Sequence, residues 1–436
     1  MPELIPAAPS LRELTAASLK IGCLGFGGPA GQIALMHRIF VEEKKWIDEP
    51  RYLHALNYCM LLPGPEAQQL ATYVGWLLHG VRGGVIAGAL FVLPGALVVF
   101  ALSWLYAVHA DTPLVIGLFY GIKAAVLGFV AEALWKLGKR ALKTRSDLAL
   151  AVATFLALFL FGVPFPILIV AAAMFGVLRA RNGVHVNAEA ETMHAQPSAR
   201  GALWAALIWA GAWLAPLAAA LAFLGPHHML TQVGILFSQL AVVTFGGAYA
   251  VLAYLQQQAV DVHGWLGTGQ MIDGLGLAET TPGPLILVNQ YVGFIAGWQA
   301  QGGGLWLATM SAAMASWCTF APSYLWIFAG APFAETLRRN RLASAALASI
   351  TAAVLGVIAN LAFWFALHVV FTRSASIPMA WGHTLLVPSI ASFDLTEALI
   401  ALAAGIALVR FKANVALVVL ACAIVGLLAR TMLSMR

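Results

Sequence analysis

The sequence predicts an all-α polytopic membrane protein of two homologous halves in inverted topology, each carrying broken or re-entrant helices. Three observations predict it: apolar stretches recur along the whole chain, one block of motifs appears twice, and the charge pattern reverses between the copies. Of 436 residues, 61% are hydrophobic and 10% charged, with a mean hydropathy of +0.86. A water-soluble domain of this length cannot cover its surface with so few charges. Apolar segments repeated end to end are instead spans of a bilayer.

The first dozen residues carry Pro2, Pro6 and Pro9 and both charge signs. They lack a basic–apolar–cleavage order, so no removable signal peptide is expected. The net charge of +6 sits in short loops between apolar runs, where it sets orientation, so no nucleic-acid partner is expected. Cys23, Cys59, Cys318 and Cys422 all fall in apolar segments at no metal-ligand spacing, and His227-His228 has no third ligand nearby. Neither a metal nor any other cofactor is expected.

The repeat is read from four blocks in the same order. Phe26-Gly27-Gly28 returns as Phe245-Gly246-Gly247, Trp46 as Trp265, and Pro63-Gly64-Pro65 as Pro282-Gly283-Pro284, all at an offset of 219 (245 less 26, 265 less 46, 282 less 63). Ala124-Ala125-Val126-Leu127-Gly128 returns as Ala352-Ala353-Val354-Leu355-Gly356 at an offset of 228 (352 less 124). One insertion between the blocks accounts for the change. The expected organisation is an N-terminal membrane repeat over 1–182, a polar cytoplasmic linker over 183–200 and a C-terminal membrane repeat over 201–436.

Charges orient the halves. The loop 37–51 holds Arg38, Lys44, Lys45 and Arg51, whereas its counterpart, 256–267, has no Lys or Arg. The loop 109–112 has none, whereas its counterpart holds Arg338, Arg339 and Arg341. Lys136, Lys139, Arg140, Lys143 and Arg145 face a single counterpart, Arg373, and the bare corner 162–164 maps near Arg410 and Lys412. Under the positive-inside rule these reversals invert one half relative to the other. That inversion requires nine full spans, among them 83–108, 113–136, 148–162, 164–178 and the odd crossing 202–224. Four further segments dip in and return.

The dips centre on helix breaks. Pro63-Gly64-Pro65 cannot continue a helix, because proline removes an amide donor and clashes with the preceding turn. Pro65 suits the first position of a new helix, and 66–76 is too short to span. The glycines of Gly25-Phe26-Gly27-Gly28-Pro29 break a helix in the same way, and Pro29 opens one that runs to Phe40. Unwound backbone at membrane depth must be enclosed by protein or line a wet cavity, and a helix N-terminus pointing into it attracts anions. A lone glycine pair ordinarily serves helix packing; corresponding breaks in both halves mark a midplane transport site. The expected substrate-binding set is therefore Gly27, Gly28, Pro29, Gln32, Pro63, Gly64, Pro65, Gln68, Gln69, Gly246, Gly247, Thr280, Thr281, Pro282, Gly283, Pro284 and Asn289. Lys123 joins it as a cation in mid-span, with pairing to an internal carboxylate as the alternative. Glu66 and Glu279 are either proton carriers or, for Glu66, a cap on its helix N-terminus. Glu132 and Lys136 read as an ordinary i,i+4 pair.

Gly25-Phe26-Gly27-Gly28-Pro29 with Gln32, then Trp46, then Leu62-Pro63-Gly64-Pro65-Glu66-Ala67-Gln68-Gln69-Leu70, resemble the first-half signature of the long-chain chromate transporters. Ala278-Glu279-Thr280-Thr281-Pro282-Gly283-Pro284 resembles their second-half signature. The resemblance covers nearly the whole chain apart from the termini and the linker. It implies multi-pass residence in a bacterial inner membrane, export of chromate from the cytoplasm and chromate resistance, with sulfate as a related oxyanion. The second half departs from the first, with Ala248 in place of Pro29 and Val251 in place of Gln32, so unequal contributions to the site are expected. Expelling a dianion from a negative cytoplasm gains about 4–5 kcal/mol per 100 mV, and inflowing protons would add to that. Uptake or exchange of sulfate or another tetrahedral oxyanion is the competing transport reading. The sequence has no HExxH, no Ser/His/Asp constellation and no paired aspartates within a span, which argues against an enzyme. The expected partners are chromate, sulfate, the lipid bilayer and protons, with a homodimer left open.

Overall fold

The structure is a computed structural model that describes residues 9–26, 28–181, 199–245, 247–333, 340–379 and 384–434. Gly27, Gly246, Arg338, Arg339 and the expected linker as far as residue 198 lie outside the described residues. The fold is all-α and polytopic. Sixteen described helices follow in order: α1 Leu11–Leu24, α2 Gly28–His37, α3 Glu49–Cys59, α4 Glu66–His109, α5 Pro113–Ala141, α6 Arg145–Phe161, α7 Phe165–Arg181, α8 Ala199–Leu224, α9 Met229–Val243, α10 Ala248–Gln256, α11 Thr268–Thr280, α12 Val288–Gln299, α13 Leu305–Gly330, α14 Arg341–Val370, α15 Leu395–Val409 and α16 Val415–Ser434. An antiparallel hairpin, β1 Ser374–Pro378 with β2 Thr384–Pro388, interrupts the chain between α14 and α15.

The duplication read from sequence recurs in the backbone. α2 runs on into a π-helical turn over Arg38–Glu43, and α10 does the same over Gln257–Val262, which is the same turn shifted by 219. The Trp46 amide closes back on the Phe40 carbonyl at 2.9 Å, and the Trp265 amide on the Ala259 carbonyl at 2.8 Å. Pro94 inside α4 and Pro322 inside α13 stand at the later offset of 228.

Five described helices, α4, α5, α8, α14 and α16, are long and apolar enough to cross a membrane. Four more helices cover the other expected crossings. α6 and α7 have 17 residues each and α15 has 15, or about 23–26 Å at 1.5 Å per residue, somewhat short of a bilayer core of about 30 Å. α13 is long enough at 26 residues. α1, α2 and α3 are shorter still, as the expected dips require. α4 is not one straight rod, because His79 and Gly80 leave helical geometry (Gly80 at φ 60°, ψ −153°). A Cβ on Gly75 would stand 2.4 Å from the Gly83 carbonyl oxygen, so the arms 66–78 and 81–109 fold back on each other backbone to backbone. The arm after Pro65 therefore returns in the direction it came from before the full crossing begins.

Two compact units form, and each draws on both halves of the sequence. The first comprises Met1–Ser103, Ala188–Ala248 and Thr281–Asn340. Within it α13 packs on α8, α9 and α12, and Trp213, Ala321 and Leu325 form a buried cluster. Leu203, Trp204, Leu207 and Ile208 of α8 are exposed, as lipid-facing side chains are. The second unit comprises Trp104–Asn187, Tyr249–Thr280 and Arg341–Arg436. There α5 packs on α14, α15 and α16, and α14 on α6 and α7. A Cβ on Gly121 of α5 would lie 1.8 Å from the Cys422 carbonyl oxygen of α16, the close approach that small residues permit between membrane helices.

Candidate functional site

The breaks are built from glycine geometry and proline chemistry. α1 stops at Leu24, capped by Gly25. Gly28 sits at φ +70°, and α2 begins with Pro29 in its first turn, where the missing amide is no loss. Gly64 and Gly283 adopt φ +106° and +95°, a region side chains rarely enter. α4 then starts at Glu66, while its counterpart passes through a 3-10 turn, Leu285–Leu287, before α12.

The four breaks meet in two crossed pairs inside the first unit. The Gly283 amide donates to the Gly25 carbonyl at 3.1 Å, and the Gly64 amide donates to the Thr244 carbonyl at 3.0 Å. Under the offset of 219, Gly25 corresponds to Thr244 and Gly64 to Gly283. These are therefore one hydrogen bond made twice, with donor and acceptor halves exchanged, which is the signature of a two-fold relation between the repeats. The site residues named from sequence flank these bonds along the chain: Gly28 and Pro29 follow Gly25, Pro63 and Pro65 flank Gly64, Gly247 follows Thr244, and Thr281, Pro282 and Pro284 flank Gly283.

Side chains break that symmetry. Gln32, wholly buried, donates its amide to the Gly25 carbonyl at 3.1 Å and to the Gly283 carbonyl at 2.6 Å. Gln69 donates to the Pro63 carbonyl at 2.7 Å. Both amide groups thus fasten the breaks themselves, and the Gln32 and Gln69 Oε1 atoms stay buried without a hydrogen bond. Asn289 donates to Thr319 Oγ1 at 3.0 Å, leaving its Oδ1 unpaired. Gln68 is wholly buried in the first turn of α4. The Ser323 hydroxyl, 3.9 Å from where a Cβ on Gly64 would stand, is buried with no hydrogen bond. Unpaired polar atoms in an apolar interior are expensive unless something polar joins them.

The remaining expected residues make other contacts. Glu66 occupies the first turn of α4, where an acid favours the helix dipole. Glu279 is buried in the second unit and accepts from the Tyr249 hydroxyl. The Thr280 hydroxyl donates back to the Gly276 and Leu277 carbonyls of its own helix. Lys123 belongs to the second unit, where it faces Asp273 at 3.5 Å, and Lys136 pairs with Glu132 at 2.6 Å. Sequence reasoning missed Asp273, Tyr249 and Ser323. Asp273 had a readable signal, since it is an acid inside the apolar run before Pro282 and acids in such runs are functional by default.

Helices broken at corresponding places in two repeats, buried within a polytopic apolar bundle, are the architecture of a secondary transporter. The chain belongs to the chromate transporter family: the family described as Chromate transporter matches residues 12–177 and 231–427. It is 30% identical over 428 residues to the chromate transport protein of Pseudomonas aeruginosa, covering 97% of this chain and 94% of that protein. It is 29% identical over 428 residues to the chromate transport protein of Cupriavidus metallidurans, with the same coverage. To the probable chromate transport protein of Synechococcus elongatus it is 30% identical over 354 residues, 80% of this chain and 83% of that protein. No solved structure matches the chain.

Proposed function

We propose that the chain exports chromate from the bacterial cytoplasm across the inner membrane and so confers resistance, binding the dianion where the four helix breaks meet. The reciprocal bonds Gly283 to Gly25 and Gly64 to Thr244 carry this reading, because each joins the glycine break of one half to the proline break of the other. Each helix end contributes roughly 0.3–1 kcal/mol when exposed and up to about 2 when partly buried. Lys123 belongs to the second unit and faces Asp273. The proposed donors are the first-turn amides of the helices that follow the breaks, together with Ser323 and Gln68, while Gln32 and Gln69 hold the breaks in shape. Chromate flux into everted vesicles, with and without an uncoupler, tests export. Flux of sulfate or molybdate at equal rates in the same vesicles would replace chromate export with general oxyanion exchange.

The proposed topology places the loop 37–51 in the cytoplasm and 256–267 in the periplasm. Impermeant thiol labelling of single cysteines from outside is expected to mark the second loop and spare the first. Labelling of both from one face would remove the inversion.

A further inference from the structure

A cavity of about 440 Å³ lies within the second unit, and nothing in the site above uses it. Its lining reaches from Asp111, exposed in the turn between α4 and α5, to Asp273, buried on α11. Every element around it contributes a charged or titratable group. α4 brings Tyr106, α5 Lys123 and Tyr120, α11 Asp273, α14 His368, the start of α15 Asp394 and Glu397, and α16 Arg430.

Most of these groups are committed to one another. Asp394 caps α15 through the Glu397 amide at 3.0 Å and accepts the Tyr120 hydroxyl at 2.8–2.9 Å. Arg430 lies over the Tyr120 ring, 5.5 Å from its centroid. Asp273 accepts the Tyr106 hydroxyl on Oδ2 at 2.8 Å. Its Oδ1 is different: it is fully buried, makes no hydrogen bond, and faces only the Lys123 ammonium at 3.5 Å. Asp273 itself is 4% exposed. A buried carboxylate held by one loose ion pair keeps its charge only while that cation stays near.

We propose that this cavity is a proton-binding site of the transport cycle, with Asp273 Oδ1 accepting the proton and Lys123 serving as the internal cation when the proton leaves. The proposal rests on the transport reading above. Four carboxylates line the cavity against two permanent cations, so it repels an oxyanion and draws cations. The ammonium already occupies the place a metal cation would take, and no described group of three or more His, Cys, Asp or Glu residues is arranged to hold a metal. A proton needs no such cage. When Asp273 takes it, the carboxylate becomes neutral and Lys123 is left facing Glu397, which is also buried.

Direction follows from the charge pattern. The turn 109–112 and the segment after α14 are both assigned to the periplasm by the charge pattern, and both border this one cavity, through Asp111 and Thr372. Protons therefore reach Asp273 from the side on which they are abundant.

The test uses the full chain in lipid nanodiscs and proteoliposomes, with protons as the probe. Infrared spectra recorded against pH without chromate are expected to show a titrating protonated-carboxyl band. It should vanish in Asp273→Asn and in the neutral pair Lys123→Gln/Asp273→Asn, and return in Asp273→Glu. In proteoliposomes chromate flux is expected to lose its pH dependence in Asp273→Asn and in Lys123→Gln/Asp273→Asn, and to keep it in Asp273→Glu. An unchanged band and pH profile in Asp273→Asn overturns the proposal. So does loss of the profile in Glu66→Gln, Glu279→Gln or Glu397→Gln with Asp273→Asn unaffected. An intact Asp273 band with no chromate flux at any pH supports the proton site and sinks the export reading instead.

Discussion

At Gly64 and Gly283 the backbone does the same thing: φ is +106° and +95°, and each amide donates to a carbonyl of the opposite half's glycine break. The side chains around them do not match. Gln69 holds the Pro63 carbonyl, but its counterpart at the offset of 219 is Val288; Gln32 clamps two carbonyls, but its counterpart is Val251; Glu66 stands opposite Leu285. Duplication has preserved the backbone that crosses the breaks but not these three side chains.

The largest expected effect tests the shared part. Gly64→Leu and Gly283→Leu should each abolish chromate flux while leaving membrane insertion intact. Forcing a side chain into a sparsely populated φ region costs about 1–3 kcal/mol. A Cβ would also stand 3.1 Å from Gln69 Nε2 at Gly64, or 3.1 Å from the Gly95 Cα at Gly283. The check is flux per inserted molecule in proteoliposomes. Normal flux in either variant breaks the equivalence, and normal flux in both moves the site away from the breaks.

Much of this scaffold was legible in the sequence. Proline and glycine act on their own backbone, so the breaks at Gly25–Pro29 and 63–65 and their copies can be read locally. The offset of 219 even locates the second π-helical turn once the first is seen. What stayed hidden was which break meets which. The pairing of Gly64 with Thr244 and of Gly283 with Gly25 depends on how the helices cross, and no local residue encodes that. The partner of Lys123 was hidden for the same reason, because Asp273 lies 150 positions away (273 less 123). The amides of Gln32 and Gln69 were read as donors for an anion, whereas they face backbone carbonyls that unwinding had exposed. The hairpin over 374–388 follows an apolar helix and carried no strand pattern long enough to notice.

A middle-sized effect tests the unshared part. Gln32→Leu strips the Gly283 carbonyl of the donor Gln32 supplies, while the Gly25 carbonyl keeps the Gly283 amide. Leaving a buried acceptor unpaired costs about 1–3 kcal/mol. The expected outcome is a lower melting temperature of the detergent-solubilised protein, with flux reduced rather than abolished. A melting temperature equal to wild type would mean that water replaces the clamp, and the asymmetry between halves would then be one of sequence only.

The smallest expected effect comes from building the missing clamp. Val251 is wholly buried on α10 and occupies the position of Gln32 in the second half. In Val251→Gln the new amide stands seven residues after Thr244, as Gln32 stands seven after Gly25. One added hydrogen bond contributes about 0.5–1.5 kcal/mol net, against the burial of a second amide oxygen with no partner, which works in the opposite direction. The two terms nearly cancel, so the melting temperature is expected to stay close to wild type. Combined with Gln32→Leu, the same change should move the clamp from one half to the other and restore part of the lost stability. If Val251→Gln instead destabilises strongly on its own, the space beside the second-half break differs in shape as well as in polarity. The two-fold relation would then end at the backbone bonds.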